Sequence, residues 1–307
     1  MQTTSTILMI EPICFGFNEQ TAENNYFQQN DNTQTSEIQA NALKEFQSMV
    51  NLLRKSGVNV IVVQDTAQPR TPDSIFPNNW ISFHSGGFIA IYPMFAPNRR
   101  QERRIEIINT IVSQGFTLKD IFDFSASEND GKFLEGTGSM VLDRVNRRAY
   151  AALSQRTNEE ILLDFCNKLD YKPVIFNAMQ TVIDKRLPIY HTNVVMSVGN
   201  DFAVVCLQSI DNEQERNLLK ESLVQTQKEI IEISEEQMHN FAGNMLQIEN
   251  IKGEKLIALS QTAYNSLNEN QLQTLQKYGT LLPFAIETIE KYGGGSVRCM
   301  MAEVFCD

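Results

Sequence analysis

A chain of 307 residues, 42% hydrophobic and 21% charged, has the composition of a folded globular protein with apolar mass enough for a large core. Its 37 acidic and 26 basic side chains leave a net charge of -11, which disfavours nucleic acid or an anionic membrane surface as partner. No apolar run approaches the roughly 20 residues that cross a bilayer, and no basic segment precedes the short apolar stretch at the N-terminus, so a cytoplasmic protein is expected.

The first elements alternate in type. Ile7 to Ile10 reads as a short strand, and the Asn/Gln/Thr-rich stretch from Asn18 to Thr35 as a surface loop suited to covering a site. Ser36 is expected to cap a helix whose apolar positions Ile38, Leu43, Phe46, Met49, Val50 and Leu53 recur at helical spacing and which Gly57 ends. Val58 to Val63 is β-branched and strand-like, and Trp80 to His84 with Phe88 to Tyr92 forms a hairpin around Ser85-Gly86-Gly87. A basic amphipathic helix is expected over Arg99 to Val112.

The succession then recurs. Strands are expected around Lys132 to Leu134, Ser139 to Asp143 and Ala149 to Ala152, a helix from Asn158 to Leu169, and a strand from Pro173 to Phe176. A further pass runs through strands Val194 to Val198 and Phe202 to Leu207, a helix from Asn212 to Gln225, and a strand from Glu229 to Ile233. The last comprises Met245 to Asn250, Lys255 to Ser260, a helix from Asn268 to Tyr278, and Leu281 to Glu287. The passes share a pattern and not a sequence, so an α/β unit of ββαβ type is used about five times, with no Pro/Gly/Ser-rich boundary to split the chain. One domain over 1–307 is expected.

Four polar clusters and one cysteine hold the candidate chemistry. In Gly293-Gly294-Gly295-Ser296-Val297-Arg298-Cys299 the glycines free the backbone for a tight turn, which suits a nucleophile as well as a buried thiol leading into a last strand, Val297 to Phe305. The other cysteines, Cys14, Cys166, Cys206 and Cys306, show no metal-type spacing, so no metal or other cofactor is expected. Thr71-Pro72-Asp73-Ser74-Ile75-Phe76-Pro77-Asn78-Asn79 is turn chemistry or a binding segment. Glu135, between an apolar residue and Gly136, is either solvated or aimed at a ligand. Of three histidines, His84 at a hairpin tip and His239 in a polar helix belong to the surface, which leaves His191 in Tyr190-His191-Thr192-Asn193 as the candidate base. Arg99, Arg100 and Arg156 fit either solvated faces or a carboxylate clamp.

The ordered motifs PDSIFPNNW, LEGTGSM, YHTN and GGGSVRCM resemble the guanidino-group-modifying, or pentein, superfamily, which includes arginine deiminases, dimethylarginine dimethylaminohydrolases and amidinotransferases; the branch of citrulline-utilisation hydrolases is the most similar. The resemblance spans almost the whole chain. It implies a pentein propeller of five ββαβ units around a pseudo-fivefold axis, with Cys299 as nucleophile, His191 as general acid/base and Glu135 as the carboxylate that holds substrate nitrogens. It also implies a small amino-acid substrate, with Asp73 at its amino-acid end and Arg99 and Arg156 on its carboxylate. A homodimer is compatible with it.

Two departures bear on substrate charge. Members acting on guanidinium groups place an aspartate where this chain has Asn79, and arginine deiminases place one where it has Asn193. Asn78 precedes the first of these in the same binding segment. A buried cation opposite one carboxylate is poorly compensated, whereas asparagine both donates to and accepts from a neutral ureido group. The expected activity is therefore cysteine-dependent hydrolysis of citrulline to ornithine, ammonia and carbon dioxide through an S-linked intermediate, with an imidazolium of His191 stabilising the thiolate. Arginine deimination, dimethylarginine hydrolysis, amidino transfer and a non-catalytic binding pentein are the alternatives.

Overall fold

The computed structural model describes residues 1–305; Cys306 lies outside the described residues. Among these the chain forms an α/β fold whose larger sheets are five three-stranded units of one design. In each unit a short leading strand pairs antiparallel with a middle strand, and a crossover carries the chain to a third strand parallel to the middle one. Four units run continuously: Ile81–His84, Phe88–Ile91 and Asp120–Asp123; Val141–Asp143, Arg148–Ala152 and Lys172–Phe176; Met196–Val198, Phe202–Val205 and Glu229–Glu232; Leu246–Glu249, Lys255–Ser260 and Thr280–Phe284. The fifth joins the two ends of the chain, since Ala302–Val304 pairs antiparallel with Thr6–Glu11, which runs parallel to Asn59–Gln64.

Burial falls from the leading strand outward. Ile81–His84, Val141–Asp143, Met196–Val198 and Ala302–Val304 are buried at every residue, while the third strands have exposed ends. Leading strands also lie against one another, Ala302–Val304 on Ile81–His84 and Met196–Val198 on both Val141–Asp143 and Leu246–Glu249. Helices cover the sheets. In Thr35–Lys55 the buried residues Ile38, Ala42, Phe46, Met49, Val50 and Leu53 form one stripe, in which each side chain larger than Ala42 stabilises the fold by roughly 1.5–3 kcal/mol if fully transferred from water.

Several expectations need correction, mostly for one reason: the leading strands start late. The residues ahead of them make one tight turn instead, namely Pro77–Asn79, Gly136–Ser139, Thr192–Val195, the turn at 241–243 and the turn at 297–300. Lys132 to Leu134 is no strand, because Gly136 at φ +47 turns the chain after a single bridge from Leu134 to Thr157. The helix expected over Arg99 to Val112 is broken into a 3-10 segment, Pro97–Glu102, and Ile105–Ser113, since the buried Arg99 side chain is held under the 73–79 segment. Thr35 already begins the helix assigned to a Ser36 cap, behind Gln34, which makes no side-chain capping bond. His84 is buried and not on the surface, its Nε2 2.7 Å from Ser82 Oγ and its ring beside Phe165. The hairpin of Met179–Val182 with Lys185–Pro188 and the strand Asp120–Asp123 were not anticipated.

Candidate active site

The tight turns ahead of the leading strands carry Asn79, Asn193, Asn244 and Cys299 close before the strand, while Glu135 stands immediately before its turn, Gly136–Ser139, as His191 stands before Thr192–Val195. Cys299 sits in a turn closed by its own N–H on the Ser296 carbonyl at 2.9 Å. One cavity is lined by Cys299, His191, Asn79, Asp73, Arg99 and Arg156, together with the glycines 293–295. Cys299 is 2% exposed, and its sulfur accepts hydrogen bonds from Asn193 Nδ2 at 3.4 Å and Asn244 Nδ2 at 3.3 Å.

His191 Nε2 lies 2.8 Å from Glu135 Oε2. The other Glu135 oxygen accepts the Phe95 N–H at 2.9 Å, and Arg156 Nη1 approaches Oε2 at 3.4 Å. Burial alone raises the pKa of Glu135, but the Arg156 guanidinium, the His191 hydrogen bond and Arg99 outweigh it and hold the carboxyl well below the usual carboxylate range. Burial pushes the His191 imidazole down to about 4 against the raising effect of Glu135, with Arg156 and Arg99 adding to the fall. The resting imidazole is therefore neutral at pH 7, which corrects the expectation of an imidazolium beside the sulfur. With Glu135 ionised and only accepting, the ring proton belongs on Nε2, leaving Nδ1 as the free lone pair.

Arg99 is fully buried and heavily engaged. It binds Glu102 through Nε at 2.9 Å and Nη2 at 3.0 Å, the Asp73 and Phe76 carbonyls through Nη2, and Asn79 Oδ1 through Nη1 at 2.8 Å. Since a guanidinium only donates, the Asn79 oxygen must face Arg99; its Nδ2 donates to Asn78 Oδ1 at 3.0 Å and retains one N–H. Asn78 in turn donates to Thr137 Oγ1. Asp73 Oδ2 accepts from Asn18 at 2.7 Å and Thr21 at 3.1 Å, while its Oδ1 is buried without a partner, as is Asn193 Oδ1.

The polar stretch after Asn18 lies over this cavity, and much of it is ordered by the site itself. Arg156 donates to Asn24 Oδ1 at 2.8 Å through Nε and to the Thr21 carbonyl at 2.8 Å through Nη2, and Asn25 Nδ2 reaches the carbonyls of Gly293 and Gly294. Tyr190 OH also donates to the Gly294 carbonyl at 2.5 Å. Thus Arg156 holds Glu135 on one side and the covering segment on the other.

Nine of the residues singled out in the sequence, Cys299, His191, Glu135, Asp73, Asn78, Asn79, Arg99, Arg156 and Asn193, fall in this one connected cluster, whereas Arg100 binds the Met94 and Phe95 carbonyls and lies beside Glu128. His239 is exposed, as anticipated. Sequence reasoning missed Asn244, Tyr190 and the covering residues Thr21, Asn24 and Asn25. Asn244 had a signal in Gly243-Asn244-Met245, which occupies the same place before its strand as Gly138-Ser139-Met140. No described group of three or more His, Cys, Asp or Glu side chains is arranged to hold a metal ion.

The family model described as N,N dimethylarginine dimethylhydrolase, eukaryotic, matches residues 11–306, and the chain belongs to that family. The description of that family is that of a hydrolase. No curated protein matches the sequence. Among solved structures, the apo arginine dihydrolase ArgZ from the ornithine-ammonia cycle in cyanobacteria is similar, at 15% identity and a TM-score of 0.74, over 98% of this chain and 41% of that one. The chain thus spans about two fifths of that protein. The N-terminal domain of ArgZ bound to substrate, as a cysteine-to-serine mutant, is covered to 97%, as is this chain, at 15% identity and a TM-score of 0.71. The DDAH of Pseudomonas aeruginosa, a cysteine-to-serine mutant complexed with citrulline, aligns over 99% of this chain and 100% of its own, at 15% identity and a TM-score of 0.66. At these identities the likeness concerns the fold.

Proposed function

For a chain of the dimethylarginine dimethylhydrolase family with a neutral amide where a guanidinium would seek a carboxylate, we propose hydrolysis of a ureido head group, with citrulline converted to ornithine, ammonia and carbon dioxide. The observation that carries this reading is the orientation of Asn79. Arg99 occupies its oxygen, so the group left for a ligand is an N–H donor, which suits a ureido carbonyl oxygen and opposes the donor-only NH₂ groups of a guanidinium. Glu135 is already compensated by Arg156 and Arg99, so little uncompensated negative charge remains for a cation.

In this mechanism the Cys299 sulfur attacks the ureido carbon while Asn79 holds the oxygen. His191 Nδ1 takes up the proton that Cys299 gives up as the sulfur attacks and passes it to the departing nitrogen, which leaves as ammonia, giving a thiocarbamate on sulfur. His191 Nδ1 then accepts a proton from water, whose oxygen displaces the sulfur, and the resulting carbamate breaks down to ornithine and carbon dioxide. Asp73 Oδ1, buried and unpartnered, is an acceptor for the substrate ammonium. Arg156 offers the carboxylate the donors that now bind Thr21 and Asn24, Asn78 and Arg99 set the Asn79 amide, and Asn193 steadies the sulfur. The five units are proposed to close into a pentein propeller forming a single domain, a reading supported by the pairing of the two chain ends in one sheet.

Hydrolysis of arginine or a methylated arginine is the second reading, favoured by the strongly ionised Glu135 and by the family description. Ammonia, amine and ornithine release from citrulline, arginine, methylated arginines and agmatine separates the two. Highest kcat/KM on citrulline supports the first, and a clear preference for arginine or dimethylarginine replaces it with the second.

A further inference from the structure

Asn244 has no part in the mechanism above, yet every polar atom of its side chain is committed and points to the nucleophile. It is 0% exposed. Its Oδ1 accepts the backbone N–H of Arg298 at 3.0 Å, one residue before Cys299. Its Nδ2 donates to the Asn193 carbonyl at 3.0 Å and to Cys299 Sγ at 3.3 Å. The amide cannot be turned over, because that would set its oxygen against a carbonyl and its NH₂ against an N–H. Asn193 supplies a second amide donor to the same sulfur at 3.4 Å.

We propose that Asn244, with Asn193, forms a two-amide pocket for the Cys299 thiolate, making Asn244 a catalytic residue that holds the sulfur in its ionised, aligned state. The proposal rests on Cys299 being the nucleophile. On ionisation the S–H bond breaks, the proton passes to water and the electron pair stays on sulfur, where it accepts both N–H bonds. A neutral thiol gains little from two donors, whereas an anion gains a charge-assisted bond from each, so the contacts favour the thiolate. Among the described residues no formal positive charge shares this task through a hydrogen bond to the sulfur. The titratable and charged groups around Cys299 are Asp73, Arg99, Arg156, Tyr190 and His191 in the cavity, with Glu135 behind His191. The Arg298 guanidinium is turned away onto Glu303 at 2.6 Å. Gly243 lets the turn come close, because a Cβ there would stand 2.2 Å from the Val194 carbonyl oxygen.

The test is the pH dependence of Cys299 alkylation by iodoacetamide in the full chain without substrate, followed by mass spectrometry of the Cys299 peptide with Cys14 as internal reference. Asn244→Ala should raise the alkylation midpoint of Cys299 by about one to two pH units, the equivalent of a charge-assisted hydrogen bond, and leave that of Cys14 unchanged. Asn244→Asp should raise it further, because a carboxylate oxygen replaces the donor. Asn193→Ala should give a smaller rise and carries the same test if Asn244→Ala does not fold. A folded variant of any of the three with an unchanged midpoint overturns the proposal. Because no substrate is present, this result is independent of whether citrulline or arginine is turned over, and loss of turnover in Cys299→Ser tests the nucleophile separately.

Discussion

His191 and Glu135 form a buried pair, Nε2 to Oε2 at 2.8 Å, that fixes which ring nitrogen carries the proton. Glu135→Gln removes the charge that directs this tautomer, and turnover is expected to fall on the order of 10²- to 10⁴-fold with the chain still folded. The acid limb of kcat/KM, which reports free-enzyme groups, is expected near pH 4 rather than near 6.5, because burial depresses the His191 pKa to about 4. In Glu135→Gln the limb moves lower still. A pH-rate profile of each protein checks both statements.

Stability should fall with pH across the same window. The folded-state pKa of His191 is about 4, and that of His84 is also well below the ordinary value, chiefly through burial. As pH drops below about 6.5, the unfolded chain binds protons that the folded chain refuses, so each such histidine costs up to about 1.4 kcal/mol per pH unit until its folded pKa is reached. Glu135, depressed in the folded state, contributes stability above the ordinary carboxylate pKa and loses it as pH falls further. Urea unfolding between pH 7.5 and about 4 reads the combined slope, and His84→Asn should flatten it.

Gly138 packs between two site side chains. A Cβ there would lie 2.5 Å from Asn79 Nδ2 and 2.8 Å from His191 Nδ1. Gly138→Ala therefore displaces the proposed oxygen donor and base together, and kcat is expected to drop by roughly 100-fold, as misplacement of about 1 Å does. Circular dichroism with steady-state kinetics distinguishes this from unfolding.

Arg156 ties the covering segment to Glu135. Arg156→Ala leaves a buried carboxylate with one partner fewer, and a loss of about 3–5 kcal/mol is expected, measured as a lower urea midpoint. Asn25→Ala frees the contact to the Gly293 and Gly294 carbonyls and the Phe27 N–H that Asn25 Oδ1 accepts. It should cost about 1 kcal/mol, speed proteolysis within residues 18–35 and raise KM more than it lowers kcat.

The repeated unit was legible in the sequence because its middle strands and crossover helices obey simple periods: Lys255–Ser260 begins and ends where expected, and Asn158 and Asn212 cap their helices through side-chain bonds. The leading strands were misread at their starts because residues such as Val194 and Val297 are apolar and β-branched, yet tertiary packing folds them into turns. Glu135, His191 and Cys299 stood out by residue type. Asn244 did not, since an asparagine after a glycine reads as turn chemistry until a sulfur from another unit is found beside it. Arg99 and Arg156 showed as cations, but the contacts that tie them into the site reach far in sequence, to Asn79 for one and to Asn24 for the other.

The most direct measurement is kcat/KM for citrulline and for arginine, followed by ammonia and ornithine release, in the native chain and in Cys299→Ser. The account predicts that citrulline is the better substrate, that ornithine and ammonia appear in equal amounts, and that Cys299→Ser folds but does not turn over. Faster turnover of arginine than of citrulline, or a fully active Cys299→Ser, would contradict it.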